Sequence, residues 1–181
     1  MSRIAIPAVE DAPAATQPLL AAVRAQLGLV PNLYRLLALS PAALQGALGL
    51  SGALGKALDV RTRERIALAV AQVNGCDYCL SAHTYLGLNL ARLDAAEVAL
   101  ARAGGSSDPK ADAAVRFAVK VAERRGKVGD DDLAAVRLAG FTDAQVVEIV
   151  ALVAENFLTN LLNNVAETAI DFPVVRAAEA A

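Results

Sequence analysis

Apolar residues recur with helical period along most of the chain. The clearest run is Arg61 to Val73, where Ile66, Ala69, Val70 and Val73 share one stripe, the spacing of an amphipathic helix. Breakers between such runs set the other elements. Pro7, Pro13 and Pro18 predict an extended arm over residues 1–18, because proline removes a donor and fixes φ. Leu19 to Leu27 predicts a short helix ended by Gly28, and Pro31-Asn32 opens a second over Leu33 to Leu39. Ser40 as N-cap and Pro41 at the first helical position restart a helix that runs to about Gly55, following the usual capping preferences. Asn74-Gly75 stops the periodic helix, the next begins near Cys76 and reaches Leu88, and another spans Asp94 to Ala103. Gly104-Gly105-Ser106-Ser107 predicts a flexible loop, since such clusters rarely sit inside regular elements. Asp108-Pro109 then opens a helix to about Arg125, Asp130 opens one ending at Gly140, and Thr142 caps a long one reaching toward Thr168. Asp171-Phe172-Pro173 ends it, so residues 19–175 read as one helical domain and 176–181 as a fraying alanine-rich tail.

Composition supports this reading. Apolar residues make up 56% of the 181-residue chain, and the excess is alanine and leucine, both good helix formers. The fold class expected is therefore all-α. So high an apolar share in a short helical chain also predicts surface buried between subunits, hence a homo-oligomer. Leu36 to Gly55 is uncharged and long enough to imitate a membrane span. Ser40-Pro41 interrupts it, and Gly46, Gly49, Gly52 and Gly55 recur every third residue, which predicts a buried helix approached closely by its neighbours. No membrane partner is expected.

Net charge is −2 with no basic block, so the footprint of a nucleic-acid binder is missing. Residues Met1 to Pro13 lack the basic and apolar regions of a secretory signal. The expected location is cytoplasmic, where a C-x2-C pair is more often catalytic or metal-binding than structural.

The chemistry is concentrated in one place. Glu64, Cys76, Cys79 and His83 form E-x11-C-x2-C-x3-H and include both cysteines and the single histidine of the chain. On a helix, Cys76, Cys79 and His83 at i, i+3 and i+7 project from roughly one face. Two thiols one turn apart are close enough to form a disulfide with little backbone movement. A free thiol near pKa 8.5 is a poor nucleophile at neutral pH. Three aids are in reach: the helix N-terminus behind Gly75, His83 as base, and Glu64 on the preceding helix to orient that base. The helix end favours Cys76 as nucleophile and proximity to His83 favours Cys79; Cys79 is chosen, because Cys76 lies almost two turns from the base.

Other readings of these residues remain open at this point. The cysteines could be small buried hydrophobes, or Cys76, Cys79, His83 and Glu64 could bind zinc within a structural or metal-binding oligomer. The pair could also reduce protein disulfides and ignore peroxide. Arg61, Arg63 and Arg65 could hold Glu64 in an ordinary ion pair, and Tyr78 reads as packing, the alternative being that it lines the pocket or presents its hydroxyl there. Asn156, Asn160, Asn163 and Asn164 form a polar stripe on an apolar helix. It is either a hydrogen-bond network fixing register or a subunit contact, or else a polar wall of the active-site pocket.

The chain resembles the AhpD-like alkylhydroperoxidases of the carboxymuconolactone decarboxylase superfamily, in particular the peroxidase-related branch. The residues that carry the resemblance are Arg63-Glu64, Asn74-Gly75-Cys76-Asp77-Tyr78-Cys79 and Ala82-His83, with Val30-Pro31-Asn32-Leu33 upstream and Asn160 through Asp171-Phe172-Pro173 downstream. The resemblance implies an AhpD-like fold assembled as a trimer or a dimer of trimers, with no cofactor. It further implies a peroxidase cycle: Glu64 and His83 relay protons, Cys79 becomes a sulfenic acid, and Cys76 closes the disulfide. A hydroperoxide would be the substrate and an external dithiol or lipoyl-type reductant the partner. Asp77 and Tyr78 stand where some members carry a second histidine. The decarboxylase branch lacks the cysteine pair, which argues against lactone decarboxylation.

Overall fold

The computed structural model describes residues 2–177. Among them the chain is all-α, with helices α1 (Gln17–Leu27), α2 (Asn32–Leu37), α3 (Pro41–Leu54), α4 (Val60–Val73), α5 (Asp77–Asn89), α6 (Ala95–Arg102), α7 (Pro109–Glu123), α8 (Asp130–Leu138) and α9 (Asp143–Ala166). Local chemistry sets their ends. Side chains of Ser40, Asp59, Asp94, Asp108 and Thr142 accept from the otherwise unpaired first-turn amides of α3, α4, α6, α7 and α9. Gly28 ends α1 at φ 78°, a conformation that glycine adopts without penalty.

α4 is the central element, packed against α5, α6, α7 and α9. Its buried run Ile66-Ala67-Leu68-Ala69-Val70-Ala71 serves two clusters at once. Ile66, Ala69 and Val70 face α7 and α9, while Leu68 and Ala71 face α5 and α6. Val73, placed on the same stripe by its spacing, is 38% exposed because the helix ends beside it. A third cluster joins Leu20 of α1, Leu37 of α2, Leu44 and Ala47 of α3, and Ala12 of the N-terminal segment. That segment is tied down: Arg3 N donates to Ala166 O at 2.6 Å, and Arg35 Nε donates to Pro7 O at 2.8 Å. At the other end, residues 178–181 of the alanine-rich tail lie outside the described residues.

Three expectations are corrected. The Leu36 to Gly55 segment is broken at Ser40, as expected, but the outer space around Gly46, Gly49 and Gly52 is open, and a Cβ there would meet nothing within 4 Å. Those glycines do not mark a close approach within the subunit; Leu44, Ala47 and Leu54 make the buried face. Among the described residues the helix long and apolar enough to cross a membrane is instead α9, whose inner face, including Ile149 and Leu152, packs into the core.

The third correction concerns the Gly104-to-Ser107 loop, which is anchored rather than free. Glu97, buried on α6, accepts from Arg65 Nε at 2.6 Å, from Ser107 N at 3.1 Å, and from the hydroxyls of Ser106 and Ser107. A buried Arg65–Glu97 pair is tolerable only because these further bonds satisfy the carboxylate. The tie joins residues nine or more apart in sequence, so loop composition alone does not show it.

Burial alone would raise the Glu97 pKa, but Ser106, Ser107 and Arg65 hold the carboxyl down to about 2. A depressed carboxylate contributes its stability above its unfolded pKa near 4.3 and loses it as pH falls toward the folded value. Glu97→Gln is expected to lower the unfolding free energy in urea by about 3–5 kcal/mol at neutral pH. It should also flatten the wild-type loss of stability between about pH 4.5 and about 2. Equal urea midpoints for the two proteins would show that the loop is not anchored by this carboxylate.

Candidate active site

α4 ends at Asn74, Gly75 turns the chain at φ 59°, and Cys76 takes an extended conformation as the N-cap of α5. The two cysteines therefore bracket the first turn of the helix instead of both lying in it. Cys76 Sγ accepts from Cys79 N at 3.4 Å, taking the place of a capping oxygen. His83 follows Cys79 by one helical turn on α5, and Glu64 faces it from α4. The structure thus brings together all four residues that the motif singles out.

The two thiols differ in exposure and charge. Both are free. Cys76 is 0% exposed and packs with Leu68, Leu80 and Leu93. Cys79, 3% exposed, lines a cavity of about 370 Å³ that Cys76 does not line. A hydrogen bond between the two sulfurs lowers the Cys79 pKa, burial opposes this, and the charge of His83 with the amides of Asn163 and Asn160 brings it down to about 6. The same bond, with burial and the nearby charges of Cys79 and Asp77, pushes the Cys76 thiol far up. These shifts favour Cys79 as the thiolate and Cys76 as the protonated donor. Cys79 lies in the first turn of α5 as well as one turn before His83, so helix end and base both favour negative charge on it.

His83 Nδ1 and Glu64 Oε2 are 2.9 Å apart, with the side chains 24% and 12% exposed. Burial pulls the imidazole pKa down, but the charge and hydrogen bond of Glu64, assisted by Cys79 and Glu155, outweigh it and raise the value. Glu64 is therefore not an ordinary surface ion pair. Among the described residues no hydrogen bond joins His83 to Cys79 directly, so the ring acts on the thiolate through its charge. Glu155 also lines the cavity; burial raises its pKa against a bond from Ser51 and the charges of His83 and Arg63. Sequence reasoning missed Glu155, which lies 72 positions from His83 and carries no local signal.

The asparagine stripe is both network and wall. Asn156 lines the cavity and donates to Leu152 O at 2.8 Å. Asn160 Oδ1 accepts from Asn74 Nδ2 at 2.8 Å, and Asn164 Nδ2 donates to Asn74 O at 2.9 Å. Asn163 Nδ2 reaches Cys79 Sγ at 3.3 Å. Tyr78 is packed edge-on against Phe172, yet its hydroxyl is fully used: it accepts from Leu33 N at 3.1 Å and donates to Asp171 Oδ1 at 2.8 Å. Asp77 is also engaged, accepting from Arg176 and from Ala177 N. Among the described residues no three His, Cys, Asp or Glu side chains are grouped to hold a metal ion. Within the Cys76, Cys79, His83 and Glu64 set, His83 pairs with Glu64, while Cys79 accepts from Asn163 outside it.

Residues 40–124 match the carboxymuconolactone decarboxylase family. An uncharacterized protein of Haemophilus influenzae is 57% identical over 37 residues, which span 20% of this chain and 33% of that relative. The matched segment thus covers about a third of that relative's length. Among solved structures, the alkylhydroperoxidase AhpD core of an uncharacterized peroxidase-related protein from Ralstonia eutropha JMP134 is similar at 28% identity and TM-score 0.83, covering 94% of this chain and 92% of that one. A peroxidase-related protein from Silicibacter sp. TM1040 is 22% identical with TM-score 0.80, covering 93% and 91%. The debrominase Bmp8 is 19% identical with TM-score 0.76, covering 94% and 91%. At these last two identities the likeness is one of fold.

Alkylation by iodoacetamide, mapped by mass spectrometry, is expected to label Cys79 with a rate that rises through about pH 6 and is level above about pH 7.5. Cys76 should remain unlabelled over the same range. Glu64→Gln, which removes the charge that favours imidazolium, should move the Cys79 midpoint up by roughly one unit. A midpoint near that of free cysteine in the wild-type protein would contradict the thiolate assignment.

Proposed function

This chain is an AhpD-like member of the carboxymuconolactone decarboxylase superfamily, and on that premise we propose that it is a thiol peroxidase with a Cys79/Cys76 cycle. The observation that carries the reading is the asymmetry of the pair: the one sulfur that lines the cavity is also the one held as thiolate. The Cys79 thiolate attacks the terminal oxygen of a hydroperoxide, the O–O bond breaks, and sulfur is oxidised by two electrons to sulfenic acid. The departing alkoxide takes a proton from the His83 imidazolium, whose charge Glu64 supports. Cys76 then attacks the Cys79 sulfur, its proton leaves with the hydroxyl as water, and a disulfide remains. An external dithiol or lipoyl-type reductant reopens it. Asp77 and Tyr78 are committed to structural bonds, so the relay runs through His83 and Glu64 alone.

Leu27, Leu29, Leu33, Leu86 and Leu90 line the cavity beside the thiolate, which suits an organic hydroperoxide. The reducing cytosol suits a dithiol that must return to its open form each cycle. We also assign the subunit contact of a homo-oligomer to α9. Val147, Val150, Ala154, Leu158, Leu161 and Val165 are all exposed and recur at steps of three or four positions, which puts them on one face able to pack on another helix.

With cumene hydroperoxide and a dithiol reductant, turnover is expected in the wild type and none in Cys79→Ser. His83→Ala should lower kcat/KM by roughly 100-fold or more. Cys76→Ser should stop at a sulfenic acid that dimedone traps, because serine keeps the N-cap of α5. Turnover that survives Cys79→Ser would remove the assignment. Activity toward protein disulfides without peroxide consumption would favour a disulfide reductase instead.

The α9 face has its own check. Light scattering of Leu158→Lys/Leu161→Lys should show a smaller particle than the wild type, and equal masses would place the subunit contact elsewhere.

A further inference from the structure

Four buried side-chain polar atoms lack a hydrogen-bond partner among the described residues, and two of them, Asn160 Nδ2 and Asn163 Oδ1, belong to the amides around Cys79. Asn160 is 0% exposed and Asn163 2%. Their other ends are fixed. Asn160 Oδ1 is held by Asn74 Nδ2 at 2.8 Å, so its amide nitrogen is the free end, and that group is near enough to Cys79 to favour the thiolate. Asn163 Nδ2 is on the sulfur at 3.3 Å, which leaves its oxygen free. One vacant donor and one vacant acceptor thus flank the reactive sulfur in a region closed to bulk water. Buried amides left like this normally have a partner in some state of the molecule.

A thiolate can use a donor but never an acceptor. A sulfenic acid needs both, since its oxygen accepts and its O–H donates. Resting on the peroxidase reading above, we propose that Asn160 and Asn163 form a cradle for the sulfenic acid of Cys79, Asn160 Nδ2 donating to the new oxygen and Asn163 Oδ1 accepting its proton. The step balances: the thiolate takes the terminal OH of the hydroperoxide, the O–O bond is replaced by S–O, and the alkoxide leaves with the proton of His83. The OH that the cradle receives keeps its own hydrogen. Cys76 reaches the sulfur from the N-cap of α5 and the two amides belong to α9. The oxygen is therefore held away from the resolving thiol until its S–H attacks and the hydroxyl departs as water. Held in the cradle, the oxygen is also drawn back from the cavity, where a second peroxide would carry the sulfur on to sulfinic acid.

The test uses Cys76→Ser, in which the sulfenic acid cannot resolve. After a pulse of cumene hydroperoxide, dimedone is added at intervals and mass spectrometry counts sulfenic and sulfinic Cys79. Adding Asn160→Leu to this background should shorten the sulfenic lifetime under excess peroxide by roughly tenfold. Lifetime is read after formation is complete, so a slower attack by an altered thiolate does not enter it. A lifetime unchanged by Asn160→Leu overturns the cradle while leaving the peroxidase reading intact. No dimedone adduct in Cys76→Ser alone overturns both. A structure of oxidised Cys76→Ser decides independently of whether the double variant folds. The oxygen should lie within hydrogen-bond distance of Asn160 Nδ2 and Asn163 Oδ1, and an oxygen facing His83 across the cavity would overturn the proposal.

Discussion

A sulfur anion kept out of water needs donors, and the rest of the site follows from how this chain supplies them. Cys79 sits in the first turn of α5, where backbone amides favour negative charge. Cys76, one step before the helix, gives its S–H to the same sulfur while its own lone pairs cap the Cys79 amide. Asn163 adds a third contact from α9, and His83 adds positive charge from one turn away. With its pKa drawn down to about 6, Cys79 favours the thiolate at neutral pH far more than an unassisted cysteine, of which only a few per cent is ionised. Every one of those donors comes from an element that must be placed to within a fraction of an ångström. That requirement explains why α4, α5 and α9 meet at one corner of the fold.

The two residues between the cysteines secure that corner from outside. Tyr78 joins Leu33 of α2 to Asp171 beyond α9, and Asp171 in turn accepts from Asn32 N at 2.7 Å. Asp77 holds Arg176 and Ala177. Segments separated by more than 130 positions are thus fastened to the same turn of α5. The Val30-to-Leu33 and Asp171-to-Pro173 motifs, which look unrelated along the chain, are the two halves of one clasp. A histidine at position 77 has no second acceptor with which to hold both Arg176 and the Ala177 amide, so at that position the departure from the second-histidine pattern has a structural reason.

Helix ends were legible because their causes are local. Ser40, Asp108, Thr142 and Gly28 act on amides or carbonyls within four residues of themselves, and the observed boundaries fall within about two residues of those read from caps and breakers for most helices. The thiol motif was legible for the same reason, since Cys76, Cys79 and His83 lie within one turn-and-helix unit. What escaped depends on distant partners. The Glu97 anchor, Glu155 in the cavity and the Asn163 contact with Cys79 all join elements far apart in sequence. The glycines of α3 misled in the opposite direction: a three-residue repeat has the look of a packing seam, yet Gly46, Gly49 and Gly52 face open space within the subunit. An asparagine stripe on an apolar helix announces buried polar groups but not what they bind.

The same bonds that activate the pair also bear on its return. Closing a disulfide removes the Cys76 S–H donor and the Cys79 anion together, and with them the stabilisation that the helix end, Asn163 and His83 give to the reduced form. A dithiol whose reduced state is stabilised by its surroundings makes a readily reducible disulfide. In the proposed cycle that is the useful direction, because each turnover ends with an oxidised pair waiting on an external donor. One set of contacts then serves both half-reactions: it presents a thiolate to the peroxide, and it draws electrons back once the disulfide has formed. Moving the charge to Cys76 would break this economy, since that sulfur lies away from the cavity and could meet neither peroxide nor reductant.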